Sequence, residues 1–565
     1  MKYLTFLILN LSFFLTETSY SKSYNHYLYN KVFGYLPRSD IFDSDSAYGD
    51  AQKFKTTDKK IKCQYPARYY YLSKLDLLPN NDFSECIDLN DFLERAPIQS
   101  LSLMYASESI TQPASMVGHS FLKISGNNRK DQNLDHALSF FTRMNDVDPF
   151  TLLIQSFITG KQGFYSLSPL SETIDYYINT EGRSIWEYQI ELNAEELYFT
   201  RLLLYELKNV KFKYFFHAFN CATFIDHILR MIFDDFETNN ILWKTPLDLV
   251  RYVNENKLVK TRELHSGPDW ILRKFHASNK YYDIKNIIEK ETMNLEETVY
   301  LQNYNIYLFN KKQIDSNRYQ KNSEKLTSIQ NQLDSNYKIT VFNKNSPETA
   351  IQDSQIRFSY KNNNFGNYLS LYFLPLSHFV ENNLQHLSYE SEVILLGLGV
   401  ESDIVKKDGL KFSELEIFKI SSYQFHDRIL GGYSGQLNIS VLNDYYNLNM
   451  IHKIRIDSGV NVGKTFRLLN DIDFYFWPGF LVQASDSTHI YFDLKSGLIV
   501  RKIFNSKSII SFEHSQNYKN EYFNYFALSE SISWSNYNFG FKLNHSKNFQ
   551  NISNSESSLY FSILF

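Results

Sequence analysis

The chain has 565 residues, a net charge of −4, 42 tyrosines and 46 phenylalanines, but only 20 glycines. That length is ample for two or more domains, and the near-neutral balance carries no basic footprint, so no nucleic-acid partner is expected. After residue 20 no apolar run reaches the roughly 18–20 residues of a spanning helix, so a mature chain that crosses a membrane must do so with strands.

Lys2 supplies a positive start, Leu4 to Leu15 form an apolar run broken by Asn10 and Ser12, and Ser19 and Ser21 stand at the −3 and −1 positions of a small-residue cleavage site. Residues 1–21 therefore read as a secretory signal peptide. Residues 22–98 are Tyr-rich and irregular, with short helical pieces such as Tyr69 to Leu77. Export into an oxidising compartment makes an even set of cysteines pair and leaves an odd one over. Of the three cysteines, Cys63 and Cys86 are close in sequence, and their bridge would close a loop of about twenty residues, contributing roughly 3 kcal/mol in the chain-entropy picture. Cys221 is then the free thiol.

Residues 99–282 form the next expected domain. Leu101–Tyr105, Ser120–Ser125, Leu138–Phe141 and Ile185–Leu192 read as strands. Phe150 to Glu181 is turn-rich. Glu195 to Lys208 repeats leucines at helical spacing, a second helix begins after Asn220, and 246–258 suggests a third. Residues 283–335 are polar and mostly helical, a connector.

From about residue 336 to 565, segments of about ten residues alternate apolar and polar between Asn, Asp, Gly and Ser turns. Their cores include Tyr337–Phe342, Tyr368–Phe373, Leu437–Val441, Ile490–Leu494 and Phe539–Leu543. The chain ends with Leu559, Phe561, Ile563 and Phe565 on one strand face. Export, alternation and the terminal aromatic together predict an antiparallel transmembrane β-barrel of about 12 strands in the outer membrane; a soluble antiparallel sandwich would alternate in the same way.

Two residues carry the chemistry. His119 opens a predicted strand after Gly118, which permits a bent or closely approached backbone. Cys221 follows Asn220, a good N-cap, so it sits in a first helical turn whose dipole favours thiolate. A thiol with a nearby imidazole is the pair that acyl transfer needs: the sulfur attacks a carbonyl, the imidazole carries the proton, and N–H groups at the helix start hold the oxyanion. His217 and His227 flank Cys221 at offsets of four and six, which is no zinc pattern. No metal site, phosphate-binding Gly-rich loop or cofactor is expected.

The runs Gln112-Pro113-Ala114-Ser115-Met116-Val117-Gly118-His119-Ser120-Phe121-Leu122 and Asn220-Cys221 resemble the domain family named after Lnb, a lipoprotein N-acyltransferase. Gly163-Phe164-Tyr165, Tyr176-Tyr177 and Arg183-Ser184-Ile185-Trp186-Glu187-Tyr188 fit the same pattern, over about residues 100–260. Upstream, Cys63-Gln64-Tyr65-Pro66-Ala67-Arg68-Tyr69 and Cys86 resemble the segment that often precedes the domain, and the C-terminal part resembles, more loosely, that of members with a barrel. The resemblance implies an α+β, circularly permuted papain-like (NlpC-like) fold with His before Cys, distantly related to NlpC-type peptidases and lecithin:retinol acyltransferase-like enzymes. The member for which the family is named moves an acyl chain from phospholipid to the amine of a diacylated lipoprotein. Carried over, Cys221 is the nucleophile and His119 the base. The third, imidazole-orienting group is expected on the strand after the His, where the family often has Asn and this chain has Ser139; His136 is chemically the better orienter and is slightly favoured. Ser139 and His136 fall on opposite faces of a regular strand.

The resulting expectation is thiol-dependent acyl transfer or hydrolysis on phospholipid or lipoprotein acyl groups, in an outer-membrane protein with a periplasmic N-terminal domain. The rivals are a cysteine peptidase or amidase on peptidoglycan or envelope peptides, and a non-catalytic barrel with a binding domain.

Overall fold

In the computed structural model the described residues run from 25 to 565, without 37–41, 43–45, 58–59, 80–81, 108–117, 144–154, 239–242, 278–279, 283–291, 334–345, 385–386, 388, 407–408 and 445–452. The expected signal peptide and the Tyr337–Phe342 strand lie outside them. The chain divides into two units: residues 1–107 with 117–265, and 108–116 with 266–565.

The first unit is built on a seven-stranded sheet of order β6-β4-β3-β2-β1-β5-β7. Its strands are β1 (Ser100–Ala106), β2 (His119–Asn127), β3 (Asn133–Thr142), β4 (Lys161–Pro169), β5 (Ile185–Ile190), β6 (Phe212–Tyr214) and β7 (Val259–His265), and every neighbouring pair is antiparallel. The period of two divides β2 between two faces. Phe121 joins Met104, Ala106, Ala137 and Ile185 on one face, which Leu170, Ile174, Tyr177 and Ile178 cover. Ser120 and Leu122 turn to the other, where the helix Cys221–Ile232 packs on β2 and β3. The turn-rich reading of 150–181 missed β4, most of whose residues are half-buried and give no alternation. Gly163 lets β4 lie under Phe140: a Cβ there would come within 2.5 Å of that ring.

Short helices, among them Pro66–Lys74 and Ile87–Arg95, carry a Cys63–Cys86 disulfide with a Cα–Cα distance of 5.2 Å. They are pinned to the helix Ala194–Leu207 by a buried ion pair between Arg68 and Glu206, whose second oxygen accepts the Arg68 backbone N–H at 3.0 Å. That helix starts on a capping box, Asn193 with Glu196.

The second unit is a closed barrel with a helical cap. Its strands are β8 (Gln355–Asn363), β9 (Gly366–Leu374), β10 (Leu376–His378), β11 (Ser391–Asp403), β12 (Lys411–Ser422), β13 (Ser434–Asp444), β14 (Lys453–Leu469), β15 (Ile472–Ala484), β16 (Thr488–Lys502), β17 (Ser506–Asn517), β18 (Tyr522–Trp534), β19 (Tyr537–Asn548) and β20 (Ser553–Leu564). Each of β11 to β20 pairs with the next, β20 pairs with β8, β8 with β9, and β9 with β11, which closes the ring. The sheet has 13 strands, but β9 and β10 are two pieces of one wall, both paired to β11 and separated at Pro375, so the barrel has 12.

The wall is apolar outside. Phe358, Leu369, Phe480, Phe492, Phe541 and Leu559 are all exposed, as a surface facing hydrocarbon requires. In the closing strand Leu559, Phe561 and Ile563 face out while Tyr560, Ser562 and Leu564 face in. No helix among the described residues is long and apolar enough to cross a membrane.

One segment of the chain packs against the inner wall. After β10 the segment Phe379–Leu384 turns inward, and Val380 enters a cluster of Tyr423, Tyr475, Trp477, Ile499 and Ile509. Lys507 Nζ donates to the carbonyls of Val380, at 3.0 Å, and Asn382, and to the carboxylate of Glu390 at 2.6 Å, which Arg501 also reaches at 2.8 Å. The Arg357 guanidinium lies 4.0 Å from the Phe379 ring and 3.4 Å from Glu381.

The unit boundary at 265 falls ahead of the expected 282. The reason is packing. Leu272 and Phe275 of the helix Pro268–Ala277 share a core with Tyr300, Leu301, Tyr307 and Leu326 of the helices Leu295–Asn310 and Ser316–Gln332, against which Ile429 and Leu430 of the β12–β13 connection pack. His276 is buried there between Asp427 and the Tyr300 hydroxyl, 2.9 Å away.

Candidate active site

His119 is the first residue of β2 and pairs with Ala106 of β1. Gly118 before it has φ +80, and a Cβ there would meet the Tyr105 ring at 2.7 Å and the Ala106 carbonyl at 3.1 Å. Only glycine fits that bend without strain, so the strand enters with His119 held against β1.

Cys221 is the first residue of its helix. The Asn220 side chain accepts from the N–H groups of Ala222 and Thr223 at 2.9 and 3.0 Å and donates to the carbonyls of Phe216 and Lys244 at 3.0 and 2.9 Å. The cap thus fixes the helix start to two other segments. The Cys221 sulfur lies close enough to Ser120 and to the N–H groups at its own helix start for them to favour the thiolate. The structure therefore brings Cys221 against the residue next to His119, from the opposite face of β2.

The electrostatics differ from the expected thiolate. Cys221 is only 6% exposed, and burial pushes its thiol above the ordinary value more than those hydrogen bonds lower it. Burial, and then the positive charge of Arg183, push the His119 imidazole down to about 3. Cys221 is therefore a protonated thiol and His119 a neutral imidazole at rest.

The two candidates for the orienting group separate. Ser139, one step past the Leu122–Leu138 pair, lies on the face of Phe121 and His119. His136 pairs with Ile124 and lines a shallow depression with Asp88, Asp91, Arg95 and Lys208. Five residues at ~3.3 Å each put it about 17 Å along the strand from His119. His136, the slightly favoured candidate, thus stands far along the strand from His119, whereas Ser139 shares its face. Among the described residues no hydrogen bond from either reaches the His119 ring.

The sequence reading gave no role to Tyr177 or Arg183, although both stood in its motifs. Tyr177 stacks on His119 with 6.0 Å between ring centroids, and the Arg183 guanidinium lies 4.9 Å from the Tyr177 ring. Burial pushes the Tyr214 hydroxyl of β6 well up, and a negative charge on Cys221 would push it further. His227 packs between Tyr35 and Phe219, at 4.9 and 5.3 Å. Among the described residues one group, Glu187, Glu263 and His265, has metal-ligand spacing. Burial raises the Glu187 carboxyl, but hydrogen bonds from His265, Lys123 and Ser102 outweigh it and hold the group at about 2. That carboxylate is already satisfied by an ammonium at 2.9 Å.

Residues 88–256 match the family described as the Lnb N-terminal periplasmic domain. The chain carries an Lnb-type periplasmic domain followed by a barrel. No curated protein matches it. Solved structures similar to the barrel include the KdgM porin, at 9% identity, covering 37% of this chain and 99% of that one with a TM-score of 0.24. The NanC porin shows 8% identity, 38% and 100% coverage and a TM-score of 0.25. LpxR from Salmonella typhimurium shows 11% identity, 38% and 100% coverage and a TM-score of 0.23. An Lnb-type periplasmic domain joined to a closed barrel with an apolar outer wall makes this an outer-membrane protein whose N-terminal domain lies in the periplasm.

Proposed function

We propose that the periplasmic domain is a thiol-dependent acyltransferase or acyl hydrolase acting on lipid or lipoprotein acyl groups, through an acyl-enzyme on Cys221. The observation that carries the reading is the Asn-capped Cys221 set against Ser120, beside the glycine-bent His119, in an Lnb-type domain. His119 takes the thiol proton as the sulfur adds to an ester carbonyl. The Asn220 cap takes the Ala222 and Thr223 N–H groups, so the Cys221 N–H is the donor left at the helix start for the developing oxyanion. The tetrahedral adduct collapses, the C–O bond breaks, and the alcohol leaves with the proton from His119. A lipoprotein amine or water then attacks the thioester and gives its proton to His119. The thiolate leaves and is reprotonated, which restores the pair. Residence in a lipid bilayer keeps acyl substrates at high local concentration.

The test is mass spectrometry of the intact protein taken from its own envelope. An acyl-sized adduct that maps to Cys221 and disappears in Cys221→Ala supports the reading. Full lipoprotein acylation in cells that carry only Cys221→Ala sinks it.

A further inference from the structure

We propose that Tyr177 and Arg183 are the positioning residues for His119, which is held by a ring stack and a buried cation in place of a hydrogen-bonding third residue on β3. The proposal rests on the reading of His119 as the base. Three rings lie nearly parallel: His119 on Phe121 at 6.3 Å and 23°, His119 on Tyr177 at 6.0 Å and 29°, and Phe121 on Tyr177 at 5.8 Å and 16°. These separations are those of attractive ring pairs. Phe121 belongs to β2 itself, whereas Tyr177 comes from the π-helical turn Tyr176–Thr180, so the imidazole packs against rings from two separate elements.

Arg183 fixes both sides of this arrangement. Its side chain is 1% exposed. It donates through Nη2 to the Ala106 carbonyl at 2.8 Å, through Nε to the Ser107 carbonyl, and through Nη1 to Glu181 at 2.7 Å. Its own backbone N–H donates to the Tyr177 carbonyl at 2.9 Å. Ala106 is the cross-strand partner of His119. One guanidinium therefore ties the strand opposite His119 to the turn that supplies the ring stacked on it. A flat, delocalised cation suits that position, since it can hydrogen-bond in its plane and face a ring across it. Its charge also opposes protonation of the imidazole, which keeps the base in its accepting form.

The arrangement separates the Tyr177 ring from its hydroxyl. Tyr177→Phe keeps the stack and should retain turnover within about twofold, with an unchanged pH profile. Tyr177→Leu should lower kcat on the order of 100-fold with KM little changed, the size expected for a misplaced base. Arg183→Gln keeps in-plane donors but removes the charge, so the His119 titration should move up while staying below the ordinary value, because burial, the larger cause, remains. That titration is read by NMR of histidine-labelled full-length protein in detergent, with His119→Gln assigning the signal. It needs no turnover, so it reports on positioning even where the acyltransferase reading fails. Loss of turnover in Tyr177→Phe would assign the role to the hydroxyl and overturn the proposal. An unmoved His119 titration in Arg183→Gln would overturn it equally.

Discussion

Lys507→Met tests whether the barrel is shut by its own chain. In the wild type Lys507 holds three groups of the inward segment: the Val380 and Asn382 carbonyls and the Glu390 carboxylate. Lys507 and Glu390 are each 8% exposed on the side chain, so the pair is buried in protein. Breaking such a pair from one side costs about 3–5 kcal/mol. Arg501 still reaches Glu390 at 2.8 Å, so the lower end applies. At 1.4 kcal/mol per tenfold, about 3 kcal/mol shifts the ratio of open to closed lumen on the order of 100-fold. The assay is single-channel recording of the full-length protein in planar bilayers. The wild type should be silent, Lys507→Met should show openings about 100 times as frequent, and Lys507→Arg should remain shut. Steady conductance by the wild type, or a Lys507→Met protein that is folded yet as silent as the wild type, would refute the plug.

Other outcomes follow from the periplasmic domain. Because burial raises the Cys221 thiol and His119 stays neutral down to about pH 3, iodoacetamide should label Cys221 more slowly than free cysteine at pH 7, with the rate still climbing above pH 9; faster labelling at pH 7 would mean a preformed ion pair. Gly118→Ala should lower stability by at least the ~1–2 kcal/mol of a left-handed residue, plus the clash with Tyr105, and depress turnover with it; an unchanged melting temperature contradicts the bend. Glu206→Gln leaves the Arg68 guanidinium buried without its counter-charge, and the domain should lose about 3–5 kcal/mol in a denaturant titration; a loss below ~1 kcal/mol would mean that the pair is not structural.

What could be read from the sequence was what is local in it. Alternation located the cores of β9, β13, β16 and β19, and the face shared by Leu559, Phe561 and Ile563. Gly118 and Asn220 flagged His119 and Cys221 because a bend and a cap are properties of one or two residues. β6 has three residues, and β7 is an edge strand exposed along most of its length, so neither carries a pattern to find. His136 was favoured on chemistry alone, since its register against Ile124 depends on a second strand. The thiolate was expected from the helix terminus, yet the depth at which Cys221 is buried is set by segments far away in the chain. Tyr177 and Arg183 stood in the motifs, but their contacts with His119 and Ala106 are made only in the fold, with segments far from them in sequence.

The central claim is that Cys221 carries the acyl group and His119 moves the proton. The most direct measurement is the intact mass of full-length protein after exposure to phospholipid vesicles, quenched at short times and mapped by peptide. The account predicts one acyl chain on Cys221 in the wild type, none in Cys221→Ala, and formation slowed by several orders of magnitude in His119→Ala. An adduct on another residue, or acylation of Cys221 at the wild-type rate without His119, would contradict it.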